Sequence, residues 1–378
     1  MMRWSREAPF AHGAECEETW TAREASGREC RFAVSVRLGK PLDVLALKAD
    51  VVEDFERHLA KIRASRERMF GGGSGDVVAR CPVCEASASD SRPVLEVYGA
   101  RYHACGACDH RFVVRRPGAE QLRAFYASDE SYSETYRNPR TATTRATDVA
   151  APKARWVLDH FLRLHGRRPR HVLDVGAGSG HFVRACRDLG LAADGIEVSE
   201  SSRKFASEQL GVQLAAGDFV ADRFRETEVV SFWGVIEHVA EPLALLRTAR
   251  TILSMTAGGL VVAEVPRWDS LSTAVQSVFS DSVVRHLDPG GHIHCFTESS
   301  LATAFVTTGF RPAAAWYFGM DAYEAMMQIV SRAGDTRRGV ASRLGDVLSP
   351  LQAAVDMNRF SDSLVLAGMP HDRDEAAR

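Results

Sequence analysis

The chain has 378 residues, 45% of them hydrophobic and 25% charged, with a net charge of −2. That is ordinary for a globular protein with one sizeable core and accessory parts. The balance supplies no global field for nucleic acid, no apolar run reaches the length of a membrane span, and the first residues, MMRWSREAPF, lack a signal-peptide core.

In chain order, residues 1–75 form an N-terminal extension. ECRFAVSVRLG predicts a strand with Phe32, Val34 and Val36 alternating onto one face. After Pro41, LDVLALKADVVEDFERHLAKIRASRERMF predicts a long helix, with Val52, Phe55, Leu59, Ile62 and Met69 on one stripe. Such a stripe either packs on its own domain or joins two copies into a homodimer. GGGSG at 71–75 is a joint and a boundary.

Residues 76–116 carry Cys81-Pro-Val-Cys84 and Cys105-Gly-Ala-Cys108, two C-x-x-C pairs 20 residues apart. Four thiolates at this spacing can close a tetrahedral site around Zn²⁺, a zinc ribbon. A closed four-sulfur shell leaves no place for water, so such a zinc is structural. An iron–sulfur cluster is the alternative, since it too can use four cysteines. His103 and His110 flank the second pair as bystanders. Cysteines in tight pairs suit a reducing compartment better than disulfides do, so the expected address is the cytoplasm.

Residues 117–153 read as a linker with short helices, containing Tyr126, Tyr132 and Tyr136. The central stretch is HVLDVGAGSGHFV, 171–183. Val172, Leu173 and Val175 read as a buried strand, and Gly176, Gly178 and Gly180 as a turn. HFVRACRDLG then has helical spacing and ends at Gly190. Glycines there let the backbone pass close to a ligand. His181 occupies the position where a dinucleotide fingerprint needs its third glycine, which weakens a nicotinamide or flavin reading.

The stretch resembles motif I of the class I S-adenosylmethionine-dependent methyltransferases, an acidic residue before G-x-G-x-G: Asp174, Gly176, Gly178 and Gly180. Later stations fit as well. LAADGIEVSE ends a second strand at Glu197, 23 residues after Asp174; VQLAAGDFV supplies Asp218 and Phe219; VVSFWGVIEHV and GGLVVAEVP read as the fourth and fifth strands. The resemblance implies a Rossmann-like α/β sheet of seven strands, order 3-2-1-4-5-7-6 with strand 7 antiparallel, over residues 154–370. Insertions lie near 267–297 and 320–358, and 371–378 is a tail. It also implies roles. Asp174 lies near the methionine ammonium, Glu197 holds the ribose, Asp218 and Phe219 take the adenine, and Gly234 lines the cofactor. The ribbon, the "RP" turn and the tyrosine-bearing helix together resemble a recurring bacterial methyltransferase architecture, which implies that the 117–153 helices are a lid.

On the acceptor side a general base near neutral pKa would help, and histidine is the natural candidate. His292 in the GHIHCFT turn is ranked first, His238 in IEHV second and His294 third; His286 and Tyr317 have weaker context. Thr297 or Ser299 is expected to cap the following helix. The function implied is methylation at O, N or C of a small molecule such as a sugar or natural-product intermediate. The alternatives are an RNA-modifying enzyme that grips RNA with the ribbon, and a non-catalytic cofactor-binding scaffold.

Overall fold

The computed structural model describes residues 2–7, 15–23, 27–48, 55–70, 75–128, 137–333 and 343–371. Val52, most of the 71–75 joint, Tyr132, Tyr136 and nearly all of the tail lie outside the described residues. The chain divides into two compact units: unit 1 is Met1–Gly118, Val265–Thr303 and Ala315–Val365; unit 2 is Ala119–Glu264, Ala304–Ala314 and Leu366–Arg378. Among the described residues no helix is long and apolar enough to cross a membrane.

Unit 1 begins with three strands, β1 (Arg3–Glu7), β2 (Glu15–Arg23) and β3 (Glu29–Leu38), paired antiparallel in that order. Val34, Val36 and Leu38 are buried on one face of β3, as period-two alternation requires. On β2 the same alternation buries Trp20, Ala22 and Glu18. Glu18 is tolerable inside because Trp20 Nε1 donates to it at 3.1 Å and Arg359 Nη1 at 2.9 Å.

The helical stretch after Pro41 is described as α1 (Val44–Leu47) and α2 (Phe55–Phe70). Its stripe is used inside the unit. Phe55 and Leu59 pack with Tyr323, Met326 and Met327, while Ile62 and Met69 join the cluster around Phe70, Tyr98 and Tyr102. Phe55, Leu59, Ile62 and Met69 of that stripe thus pack on side chains of their own unit. The next sheet runs β5 (Arg92–Val97), β6 (Ala100–Ala104), β7 (Arg111–Val113), β13 (His294–Cys295), antiparallel at each step. Beside it is a two-stranded pair, β4 (Asp76–Val77) with β8 (Arg115–Arg116). The unit also holds α8 (Leu271–Val278), α10 (Asp321–Ser331) and α11 (Leu348–Met357).

Unit 2 opens with α3 (Ala119–Ser128) and, after a π-helical stretch Arg145–Ala150, α4 (Ala151–His165), which ends on Gly166 in the left-handed region. Its strands β9 (Val172–Val175), β10 (Ala193–Ile196), β11 (Val229–Trp233) and β12 (Leu260–Pro266) are parallel neighbours in the order β12-β11-β9-β10. They are almost continuously apolar and buried, as expected of a sheet covered on both faces. The helices between them are α5 (His181–Asp188), α6 (Glu200–Leu210) and α7 (Pro242–Leu253). Beyond β12 come β15 (Ser363–Pro370) and β14 (Phe310–Phe318). On the far side of β10, among the described residues, there is one isolated parallel bridge, Ile196 to Ala215. Helix α9 (Glu298–Thr307) is capped by Thr297, whose Oγ1 accepts from Ser300 N–H at 3.1 Å.

Candidate active site

The glycine turn in unit 2 is built as its sequence demands. Gly176, Gly178 and Gly180 have φ of +71°, +53° and +77°, values an L side chain adopts only under strain. A Cβ on Gly176 would lie 2.7 Å from Val235 Cγ2, whereas the space a side chain would fill at Gly178 is open. The turn and the end of β10 are tied together by Glu197. Its buried carboxylate accepts from Gly178 N–H and from Ser199 N–H, both at 2.7 Å.

Asp174 is buried at the end of β9 and accepts from Ser231 Oγ at 2.7 Å. Burial pushes its pKa up to about 7, against the pull of that hydrogen bond and of Lys153. The cradle therefore joins an open glycine backbone, a buried carboxylate and a second carboxylate already oriented by backbone donors. These groups suit a ligand with an ammonium end and a ribose.

Asp218 stands apart from this picture. It is exposed and ion-paired with Arg123 of α3. Phe219 is half-buried, with Phe232 edge-on at 5.8 Å and Phe224 at 6.3 Å.

Beyond β11, Gly234 (φ +68°) donates its N–H to the Glu264 carbonyl at 3.1 Å. Glu237 follows, almost fully buried, with no hydrogen-bond partner for Oε2 among the described residues; burial pushes its pKa up to about 8. His238 is buried too, its Nδ1 3.0 Å from Tyr126 Oη and its Nε2 3.6 Å from Glu237 Oε1. Nearby, Lys153 pairs with Glu264 at 2.5 Å and lies 4.6 Å from the Trp233 ring centre. The sequence reading passed over Lys153 and Tyr126's histidine contact, because neither belongs to a local motif.

In unit 1 the two cysteine pairs form matching knuckles. Cys81 N–H reaches the Ala86 carbonyl at 2.8 Å and Cys105 N–H the His110 carbonyl at 2.9 Å. Glu85 and Asp109 take φ of 60° and 62° at equivalent places. The sulfurs converge: Cys81 to Cys108 and Cys84 to Cys105 are each 3.6 Å, and all four lie within 4.8 Å of one another. Zinc–sulfur bonds of about 2.3 Å in a tetrahedron need sulfurs about 3.8 Å apart, so the set fits that ion.

The remaining candidate histidines, His286, His292 and His294, are also in unit 1. His294 is fully buried with both ring nitrogens engaged: Nε2 lies 3.1 Å from Arg116 Nη1 and Nδ1 3.0 Å from His110 Nε2, while His110 Nδ1 is 3.4 Å from Ser300 Oγ. Arginine only donates, so His294 Nε2 accepts and the chain of donors runs toward Ser300. His292 Nδ1 donates to the His286 carbonyl at 2.7 Å, which makes Nε2 the acceptor nitrogen of the neutral ring. Burial lowers its pKa to about 4, below the near-neutral value expected of the base from sequence, so it is neutral at physiological pH and a weaker base than a free imidazole. His286 is buried against Thr273 Oγ1 at 2.9 Å, and Tyr317 Oη donates to Glu298 at 2.5 Å.

Residues 148–315 match the family model for a methyltransferase domain. A ubiquinone biosynthesis O-methyltransferase of Bordetella avium (strain 197N) is 27% identical over 191 residues, covering 48% of this chain and 76% of that protein. One from Caulobacter sp. (strain K31), also 27% identical, is matched over 34% of this chain and 54% of its own length. Similar solved structures include the plantazolicin methyltransferase BpumL, with a TM-score of 0.43 at 15% identity, covering 66% of this chain and 94% of that one. Another is the magnesium protoporphyrin IX methyltransferase of Synechocystis PCC 6803, with a TM-score of 0.40 at 15% identity, covering 66% and 99%. Residues 148–315 are thus similar to a methyltransferase domain, and the parallel sheet with flanking helices in that stretch is Rossmann-like.

Proposed function

We propose that the protein is a class I S-adenosylmethionine-dependent methyltransferase that methylates a hydroxyl of a small organic acceptor, with His292 as the group that takes the proton. The observation that carries this is the His292 tautomer: Nδ1–H donates to the His286 carbonyl, so Nε2 is the basic nitrogen of the ring. The O-methyltransferases to which the chain is similar support the hydroxyl. The sheet is read as the seven-strand order 3-2-1-4-5-7-6, with strand 7 antiparallel and strand 3 contracted to the Ala215 bridge.

S-adenosylmethionine supplies a methyl already activated on a sulfonium. The chain's own residues bind, orient and move a proton, and positioning alone can supply much of the acceleration. Asp174 faces the ammonium end and Glu197 the ribose, where its fixed orientation suits two hydroxyl donors. Gly176, Gly178, Gly180 and Gly234 let the backbone approach closely. Phe219 takes the adenine ring, and Asp218 reaches the adenine amino group on leaving Arg123. His238, with Tyr126 on its Nδ1, is the second candidate base. We assign His294 to holding β13 rather than to proton transfer, because both its nitrogens are engaged. Cys81, Cys84, Cys105 and Cys108 hold one structural Zn²⁺.

The test is single-turnover transfer from labelled S-adenosylmethionine to a panel of phenols, catechols, sugars and RNA. Wild type should label a phenolic or sugar hydroxyl, and His292→Ala should lower that rate about 100-fold or more with cofactor affinity intact. Near-wild-type transfer by His292→Ala, or label appearing only in RNA, would sink the proposal. Glu197→Ala should abolish measurable cofactor binding by calorimetry, because the substitution also strands two backbone donors.

A further inference from the structure

Arg66 lies on α2, in the N-terminal extension and outside the stretch that matches the methyltransferase domain. It is almost fully buried and holds Asp288 with both arms of its guanidinium, Nε to Oδ1 at 2.8 Å and Nη2 to Oδ2 at 2.9 Å. Asp288 in turn closes the 286–292 loop. Its carboxylate accepts from Gly290 N–H at 3.1 Å, and its carbonyl accepts from His292 N–H at 2.7 Å and Gly291 N–H at 3.1 Å. A Cβ on Gly290 would sit 2.1 Å from Arg66 Nε, so the guanidinium is packed directly on the loop backbone and only glycine fits beneath it. Tyr102 Oη donates to the His292 carbonyl at 2.7 Å, and the His286 carbonyl holds the ring. His292 is thus fixed at its amide, its carbonyl and its imidazole.

We infer that Arg66 is a positioning residue for methyl transfer, acting through Asp288 to hold the 286–292 loop in the form that fixes the orientation and tautomer of His292. The inference rests on His292 being the proton acceptor. A buried ion pair is commonly no more stabilising than apolar residues of the same volume, so stability alone is a weak reason for one here. Geometry is the stronger reason. A planar fork against a carboxylate fixes both partners in one orientation, and displacing a reacting group by about 1 Å can cost about 100-fold in rate.

The experiment uses the full chain with ¹⁵N-labelled histidine. In wild type the His292 ring, assigned by its loss in His292→Ala, should show the Nδ1–H tautomer. In Arg66→Ala, held well below its own unfolding midpoint, that signal should move to a mixture of tautomers. Single-turnover transfer to a catechol probe should fall about 10- to 100-fold with cofactor affinity unchanged. Guanidinium at millimolar concentration should restore part of both, and Arg66→Lys should restore neither, because an ammonium lacks the fork. An unchanged tautomer in folded Arg66→Ala overturns the inference, whatever His292→Ala does to transfer. Near-wild-type transfer by His292→Ala overturns instead the reading beneath it. If Arg66→Ala does not fold, Arg66→Met with Asp288→Leu removes both charges at similar volume. The wild-type tautomer in that variant overturns the inference, and a tautomer mixture supports it.

Discussion

The glycine turn of unit 2 and the histidine loop of unit 1 each hold a functional group in a fixed orientation, but they are assembled over different distances along the chain. The turn is fastened by Gly178 and Glu197, 19 residues apart, within one strand–turn–helix–strand unit. The loop is fastened by Arg66 to Asp288 and by Tyr102 to His292, separated by 222 and 190 residues. A local device is set by backbone rules that a short stretch obeys by itself. A long-range device depends on other elements being folded first.

That contrast predicts which perturbations stay local. The largest effect should come from Cys81→Ser with Cys84→Ser. Metal analysis should fall from one zinc per chain to none, because two hydroxyls are poor substitutes for thiolates. Zinc binding and folding are linked, so unit 1 should lose several kcal/mol of stability. Strand β7, which follows Cys108, pairs with β13, and Tyr102 on β6 donates to the His292 carbonyl, so methyl transfer should fall as well. Cofactor affinity in unit 2 should hold. If affinity falls as steeply as transfer, the distinction between local and long-range construction is wrong.

A smaller effect tests burial within unit 2. The Glu237 carboxyl, whose ordinary pKa is 4.5, is raised to about 8 by burial. The folded state thus binds a proton that the unfolded state has released between about pH 4.5 and 8. Its stabilising contribution is full below 4.5 and is lost as pH rises through that window. Glu237→Gln, a neutral isostere of the protonated form, should leave stability at pH 5 nearly unchanged. At pH 8 it should exceed wild type by something of order 3 kcal/mol. Denaturant unfolding at both pH values decides it. Parallel pH slopes would mean that Glu237 titrates near its ordinary value and that its site is wetter than its burial implies.

The same division explains what could be read from the residues alone. Asp174, the three glycines, Glu197 and the four cysteines stand in short patterns whose spacing follows from strand, turn and metal geometry. Their arrangement follows from neighbours in sequence. Strands β1 and β2 were missed because Glu18 sits on the inward face of β2 and breaks the apolar alternation. Its burial makes sense only with Arg359, 341 residues away. The α2 stripe was legible as a stripe but not as to what covers it. Asp218 matched its station, but its exposure and pairing with Arg123 depend on where α3 lies. His292 and His294 look alike in GHIHCFT. His292 donates its Nδ1–H to the His286 carbonyl, whereas His294 is locked between Arg116 and His110, partners 178 and 184 residues away that the local sequence does not reveal.

The finest test lies inside the turn itself, where two glycines of similar φ should respond differently. Gly178→Ala places a methyl in the left-handed region at a cost of about 1 kcal/mol, but into open space, so folding should change little more than that. The methyl does occupy the opening that we assign to the cofactor, so calorimetry should record a loss of affinity out of proportion to the loss of stability. Gly176→Ala carries a similar backbone cost, and in addition its methyl meets Val235 Cγ2 at 2.7 Å. Its stability should fall by about 1–3 kcal/mol more, the usual range for overpacking. Adding Val235→Ala to Gly176→Ala should recover the steric part and leave the backbone part, whereas adding it to Gly178→Ala should recover nothing. A double-mutant cycle with coupling at Gly176 and none at Gly178 would locate the ligand opening at the second glycine. Equal coupling at both would mean that Val235 can swing over the whole turn, and that the open space at Gly178 belongs to a mobile side chain rather than to a preformed cradle.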